Sequence, residues 1–374
     1  LKTILTLSVL GLLFVSQSAL ASEQNSVTAN NESGQLDGRY FDGPYLLYKK
    51  GSEQETRDKQ HASWICDSTL LTTEINEQQL HRPSNCGELP EPVLNHDAKL
   101  VHPDIYTGVK KIVALSDVHG QYDVLIHLLK KQKIIDQNSD WAFGDGHMVM
   151  TGDMFDRGHQ INEVLWFMYK LDRQASKAGG KLHLLMGNHE QMVMRGDLRY
   201  VNERYQTTEK LLNRTYDELY DNSSEIGQWL RSKNTLVKIN DSLFLHGGIS
   251  NEWIERGLNL KKANRLYRAN VDKSKEEIRQ DPLLNFLFFG NGPTWFRGYF
   301  KPDFDENELD KILAYFRVKR VVVGHTSQEQ VLGLFDNKVL AIDSSIKNGN
   351  SGELLLMKEG HLIRGLYNGE RIGL

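Results

Sequence analysis

No apolar run beyond the first 21 residues of this chain approaches the roughly 18 residues needed to cross a bilayer. Once an N-terminal signal is removed, the chain is therefore expected to be soluble, with no membrane partner. Long basic runs are absent and the formal net charge is -4, so nothing favours binding of nucleic acid or another polyanion. There is no internal repeat and no low-complexity tract. Cysteine is scarce, with Cys66 and Cys86 the only two. A pair so close in sequence closes a modest loop as a disulfide, forms half of a zinc site, or stays as two buried thiols. The disulfide is favoured in an exported chain.

What is present is ordinary globular composition, 39% hydrophobic and 25% charged over 374 residues. Residues 1–21 have the three parts of a secretory signal: Lys2 at the positive start, an apolar stretch from Ile4 to Val15, and Ala19-Leu20-Ala21 as a small-residue cleavage site. Cleavage after Ala21 and a periplasmic or secreted protein are expected. Residues 22–108 read as an N-terminal extension, a polar arm to about residue 40 followed by an irregular segment laid against the main domain. Within it Tyr45 and Trp64 are expected to pack rather than bind. The main, catalytic domain is expected over 109–374.

From Lys111 onward, short apolar runs alternate with segments of helical spacing, so the fold class is α/β. Strands are expected at Ile112–Leu115, Met148–Met150, Leu182–Met186, Leu243–Leu245 and Val321–Val323, and helices through Val124–Ile135 and Val164–Leu171. The stretches at about 196–238 and 252–290 lack strand signals and have helical character. They are read as cap-like insertions that shape a substrate site.

Each of the five strands stops on polar chemistry. The segments are Asp117-Val118-His119-Gly120, Gly152-Asp153-Met154-Phe155-Asp156-Arg157-Gly158, Gly187-Asn188-His189-Glu190, His246-Gly247-Gly248 and Gly324-His325-Thr326. Taken singly, each has a bland explanation: loop polarity for Asp117 and His119, a helix N-cap for Asp153, turn chemistry for Asn188 and His189, a satisfied structural histidine for His246 and His325. Jointly, oxygen and imidazole donors at five strand ends are not a packing pattern. The carboxyl ends of buried strands are where open α/β sheets place their sites.

Hard oxygen donors mixed with imidazoles suit Mn, Fe or Zn, and the lack of motif cysteines argues against a closed structural zinc. A carboxylate can bridge two ions about 3.5–4 Å apart, an arrangement that activates water and holds a transferring phosphoryl group. Arg157 can offer a bidentate fork to that group. His189 can protonate a leaving oxygen, with Asp156 accepting its other N–H.

The strings SDVHG, GDMFDRG, GNHE, HGG and GHT, in that order over about Lys111 to Ser345, resemble the signatures of the phosphoprotein-phosphatase group of calcineurin-like metallophosphoesterases. The likeness is greatest to the Shewanella-like branch, which includes bacterial cold-active protein-tyrosine phosphatases and also shows a serine, here Ser116, where glycine is commoner. The resemblance implies a metallophosphoesterase β-sandwich flanked by helices, α/β/β/α. It implies two divalent or trivalent metal ions (Mn, Fe, Zn or a mixture). Asp117, His119 and Asp153 would hold one; Asp153 as bridge, Asn188, His246 and His325 would hold the other. Arg157 and Asn188 would contact the phosphate, and His189 with Asp156 would serve the leaving group. A second phosphate-binding arginine is expected between HGG and GHT. Arg297 is assigned, against Arg256, Arg265, Arg268 and Arg279 in the same interval. The tyrosine-bearing stretch usual after the last histidine is replaced by Ala341-Ile342-Asp343-Ser344-Ser345.

The function implied is a binuclear-metal-dependent phosphomonoesterase acting on phosphotyrosine or phosphoserine/threonine in proteins, or on aryl phosphates, by direct attack of a metal-held hydroxide. Neither Cys66 nor Cys86 has an arginine six residues on, which excludes a cysteine nucleophile of the Cys-x5-Arg kind. The alternatives are a phosphodiesterase or dinucleotide-polyphosphate hydrolase on the same scaffold, and an inactive phosphopeptide-binding scaffold. Two look-alikes are set aside. Asp303 to Asp310 lacks the glycine and closing glutamate of a calcium loop and reads as the acidic start of a helix. Gly290-Asn291-Gly292 has no βαβ context for a nucleotide turn.

Overall fold

The computed structural model describes residues 35–36, 39–48, 60–75, 80–92, 94 and 99–374. The stretch expected to be a secretory signal, its expected cleavage site and the arm up to residue 34 lie outside the described residues. β1 (Gln35–Leu36) and β2 (Arg39–Tyr40) pair as a short ladder. The extension is not irregular throughout, as it holds an antiparallel sheet of β3 (Asp42–Leu47), β4 (Gln60–Cys66) and β5 (Thr69–Ile75). Trp64 in this sheet is fully buried and Tyr45 nearly so. A Cys66–Cys86 disulfide, with Cα atoms 4.6 Å apart, ties the end of β4 to the segment beyond the sheet.

The remaining strands are β6 (Ile105–Tyr106), β7 (Lys111–Leu115), β8 (His147–Met150), β9 (Lys181–Leu184), β10 (Leu236–Ile239), β11 (Ser242–Leu245), β12 (Arg320–Val323), β13 (Leu332–Leu334), β14 (Val339–Ala341), β15 (Glu353–Lys358), β16 (His361–Leu366) and β17 (Arg371–Gly373). They form two six-stranded mixed sheets, ordered β17-β16-β15-β7-β8-β9 and β13-β14-β12-β11-β10-β6. The sheets pack face to face through Ile112, Ala114, Val149, Val237, Phe244, Val322 and Leu355.

Helices cover both outer faces. On the first sheet lie α1 (Tyr122–Lys131) and α2 (Ile161–Lys177), followed in the chain by α3 (Asn188–Met194), α4 (Tyr205–Leu212) and α5 (Glu225–Arg231). On the second lie α6 (Asn251–Glu255), α7 (Leu260–Asn270), α8 (Lys275–Gln280), α9 (Pro282–Phe288) and α10 (Glu306–Phe316). The α/β/β/α order explains the continuous apolar runs. In β7, Ile112 and Ala114 meet the opposite sheet while Val113 and Leu115 meet the helices, so every position from Ile112 to Leu115 is buried.

The helical reading of the first long insertion needs one correction. Its last residues form β10, because Asn240 takes a positive φ of 54° and turns the chain back into β11, pairing Leu236 with Leu245. Elsewhere in it α4 and α5 pack beside the N-terminal sheet, and Trp166 Nε1 on α2 donates to Pro44 O at 2.8 Å. The second stretch builds α6 to α9. The acidic run opens α10, where Asp305 Oδ1 accepts the Asn307 N–H at 2.9 Å. Among the described residues, no helix is long and apolar enough to cross a membrane.

Candidate active site

Five strand ends meet at one edge of the sandwich. β7, β8 and β9 run parallel in one sheet and deliver Asp117 and His119, Asp153, and Asn188 just past their carboxyl ends. β11 and β12 run parallel in the other sheet and deliver His246 and His325. The two sheets are joined here by a hydrogen bond from His325 N to Asp117 Oδ2 (2.9 Å), while within the second sheet Gly324 N donates to His246 O (2.8 Å). A Cβ on Gly324 would run into Ser116 Oγ and Asp117 Oδ2, so only glycine lets the sheets approach this closely.

The backbone at these strand ends is strained. Asp117, His119, Asp153, Asp156, Arg157 and His325 all have positive φ, from 45° to 71°. Each such non-glycine residue costs on the order of 1–3 kcal/mol and persists only where its surroundings over-determine it.

Asp153 is the centre of the site. Its Oδ2 lies 3.1 Å from His246 Nε2, 3.6 Å from His119 Nε2 and 3.8 Å from His189 Nε2. Two donor groups share it: His119, Asp153 and His189, and Asp153, His246 and His325, each with ligand atoms within 4.8 Å of one another. Asn188 Oδ1 joins the second group at 2.8 Å from His246 Nε2, and Asp117 Oδ1 approaches the first at 3.9 Å from His119 Nε2. Asp117, His119, Asp153, Asn188, His246 and His325 are all buried, none more than 5% exposed.

The donor set fits metal ions. His246 Nδ1 faces Thr151 O at 3.0 Å and His119 Nδ1 faces Phe155 O at 2.6 Å, so each carbonyl takes the ring N–H. The lone pair of each Nε2 then points at more acceptors: for His246, Asn188 Oδ1, Asp153 Oδ2 and His325 Nδ1, the last at 3.1 Å. Acceptor facing acceptor in a buried site is resolved by a cation. His325 Nε2, also buried, has no hydrogen-bond partner among the described residues. Burial, reinforced by the nearby Asp343 and Asp153 carboxylates, pushes Asp117 well above the usual carboxylate range, a further sign that this cluster wants positive charge.

Beside the donors sit the groups suited to an oxyanion. His189 Nδ1 lies 2.5 Å from Asp156 Oδ2. Burial alone would lower His189, but the Asp153 and Asp156 carboxylates outweigh it and hold the imidazole above its ordinary value. Arg157 is exposed next to this pair. On the other flank Arg297 donates from Nη1 to His325 O (2.7 Å) and Thr326 Oγ1 (3.1 Å). The other arginines of that interval face elsewhere: Arg256 pairs with Glu252, Arg268 donates to Asn234, Arg279 lies over Phe289, and Arg265 is exposed on α7.

Three features escape a reading of the sequence. Glu190 is fully buried and accepts the N–H groups of Gly187 (2.7 Å), Asp153 (2.9 Å) and Met154 (2.7 Å), fastening two motif loops together. Its place in Gly-Asn-His-Glu was the only available signal. Arg157 is gripped at both backbone groups, its N–H by Tyr200 O at 2.8 Å and its carbonyl by Asn202 Nδ2 at 2.9 Å. Nothing local marks those partners. In the stretch that replaces the tyrosine-bearing loop, Asp343 is fully buried and accepts from Ser327 Oγ at 2.6 Å.

A helix-flanked double sheet with paired ligand sets at its carboxyl edge defines a metallophosphoesterase. Residues 110–329 match the calcineurin-like phosphoesterases, and the chain belongs to that family. It is 64% identical to a crystallised cold-active protein-tyrosine phosphatase of a psychrophilic Shewanella species, with a TM-score of 0.86 covering 90% of this chain and 99% of that one. It is 30% identical over 253 residues to Shewanella-like protein phosphatase 1 of Plasmodium berghei, covering 64% of this chain and 69% of that protein. Shewanella-like protein phosphatase 2 of Arabidopsis thaliana is 27% identical over 287 residues, covering 64% of this chain and 72% of that protein. The family hydrolyses phosphate esters at a dinuclear metal centre, and this chain is an enzyme of that kind.

Proposed function

We propose that the enzyme is a phosphomonoesterase acting on phosphoproteins, on phosphotyrosine or phosphoserine/threonine, with Mn, Fe, Zn or a mixture in its two metal positions. The observation that carries the reading is the place of Asp153, between two donor groups and beside a buried Asp–His pair. Asp117, His119 and Asp153 would hold one ion, and Asp153, Asn188, His246 and His325 the other. When bound, the ions lower the pKa of a water and neutralise phosphate oxygens.

The chain's own side chains supply the rest. Arg157 and Arg297 stand on opposite flanks of the donors and offer two guanidinium forks to the non-bridging oxygens. Two cations suit a terminal, doubly charged phosphate better than a diester. His189 keeps its Nδ1–H on Asp156 and turns Nε2 toward the centre, 3.8 Å from Asp153 Oδ2. From Nε2 a proton passes to the departing oxygen as the P–O bond breaks. Asp156 fixes the ring and steadies its charge until then.

The test is turnover of p-nitrophenyl phosphate and of bis(p-nitrophenyl) phosphate by the purified protein, with its metal content measured before and after chelation. Preference for the monoester, lost on chelation and restored by one of the named metals, is expected. Full activity with no bound metal would overturn the reading. We further propose that the protein acts in the periplasm or outside the cell. The signal-like pattern of residues 1–21 and the Cys66–Cys86 disulfide support this. Finding that the cell-derived protein begins at residue 22 and is exported would bear it out, and a cytoplasmic, uncleaved chain would refute it.

A further inference from the structure

Tyr200 exposes 44% of its surface, unusual for a large aromatic among the described residues, and it stands beside His189. Its ring centroid lies 5.4 Å from that of His189, with the planes tilted by 51°. Arg157 Cζ lies 5.5 Å from the same ring, and the Tyr200 carbonyl accepts the Arg157 N–H at 2.8 Å. Arg199, held by Asp197 through bonds of 2.7 and 2.9 Å, brings its Cζ to 5.4 Å from the ring centroid. The ring is thus braced by two cations while much of it faces solvent.

What Tyr200 meets follows from which end of the substrate goes where. The phosphoryl group belongs to the metal ligands and arginines, and the leaving oxygen to His189 Nε2. A carbon skeleton attached to that oxygen would lie beside His189, whose ring the exposed Tyr200 ring flanks. The other nearby aromatic, Trp295, lies against His325 with ring centroids 5.8 Å apart, and so flanks the metal ligands rather than the acid.

We propose that Tyr200 is a specificity-determining residue that packs against the aromatic ring of an aryl leaving group, which makes phosphotyrosine the preferred substrate over phosphoserine. This rests on the phosphomonoesterase reading above. An aromatic pair contributes roughly 0.5–1.5 kcal/mol beyond burial, which corresponds to about a two- to twelvefold difference in kcat/KM when made in the transition state. A tyrosine that only supported Arg157 would affect every phosphate ester alike.

One peptide carrying either phosphotyrosine or phosphoserine at the same position separates the two roles. kcat/KM is measured on both forms for the wild type, Tyr200→Phe and Tyr200→Leu, and each variant is read as its phosphotyrosine-to-phosphoserine ratio. The ratio should stay near the wild-type value in Tyr200→Phe and fall about fivefold in Tyr200→Leu, in line with one lost aromatic pair. Equal losses on both peptides in Tyr200→Leu would overturn the assignment and leave the phosphomonoesterase reading standing. A wild type that hydrolyses neither peptide nor p-nitrophenyl phosphate would remove that reading and the assignment with it.

Discussion

His189 and Asp156 share a 2.5 Å contact between Nδ1 and Oδ2, and both side chains are buried. Asp156 itself is raised by its burial, and His189 is raised by the joint pull of Asp153 and Asp156 rather than by one carboxylate.

Asp156→Asn and His189→Asn should each lower kcat by about 10²–10⁴, the usual scale of general acid–base contributions. The double variant should be little worse than the poorer single one, because the two residues act as a unit. Across a series of aryl and alkyl phosphates, the loss should grow as the leaving group becomes a poorer one. A loss independent of the leaving group would mean that His189 is not the acid.

Asp153→Asn removes the carboxylate that both donor groups share. The purified variant should retain less metal than the wild type, and added Mn or Zn should raise its melting temperature less, since a ligand stabilises the folded state only in proportion to its occupancy. Metal analysis and melting curves with and without added ion read this out without any activity assay. Unaltered metal content would remove Asp153 from the bridge.

Arg297 is anchored to His325 O and Thr326 Oγ1. Arg297→Ala should reduce kcat/KM by roughly 10- to 100-fold and weaken inhibition by inorganic phosphate, given the 1.5–3 kcal/mol typical of a hydrogen bond to a charged group. Arg297→Lys should recover only part, because an ammonium lacks the planar fork. Arg268→Ala, on a side chain that donates to Asn234, should leave both quantities near wild type. Equal effects from the two arginines would argue against a phosphate contact at Arg297.

Acid should destabilise the protein through histidines remote from the site. His183 Nε2 lies 2.9 Å from His147 Nδ1, and Lys181 Nζ lies 2.8 Å from His102 Nε2. Burial, aided by the Lys181 charge, lowers His102 to about 4, and burial together with His147 holds His183 well below its ordinary value. An unfolded histidine titrates near 6.5. The folded values are depressed, so as pH falls below about 6.5 the unfolded chain takes up more protons than the folded one. Stability is then fully present above that pH and drains away toward pH 4. Melting temperatures should fall across this window, and His102→Gln should flatten the fall. A melting temperature constant from pH 7 to 4.5 would contradict this.

Much of the site was legible because of where its residues lie. Strands such as Ile112–Leu115 and Val321–Val323 are buried on both faces, so they appear as unbroken apolar runs, and the polar residue that ends each run stands out. β10 was not legible. Its Leu-Val-Lys-Ile is short and interrupted by Lys238, and it is a strand because β11 turns back along it. The grip of Tyr200 and Asn202 on Arg157 was hidden for another reason. Hydrogen bonds made to a backbone by residues distant along the chain leave no periodic trace.

By itself the sequence determined the inventory. Local chemistry dictated which strands end in carboxylates, amides and imidazoles, and that Arg157 follows Asp156. Only the tertiary structure decided that these ends form one site. Asp117, His119, Asp153 and Asn188 leave one sheet while His246 and His325 leave the other, and no spacing along the chain encodes how two sheets stack. Face-to-face burial of Ala114, Val149, Phe244 and Val322 sets that stacking. It brings His246 within 3.1 Å of Asp153 and stands Tyr200 beside His189. Contacts of this kind are made by the summed hydrophobic packing of the whole sandwich, so they exist only once it has folded.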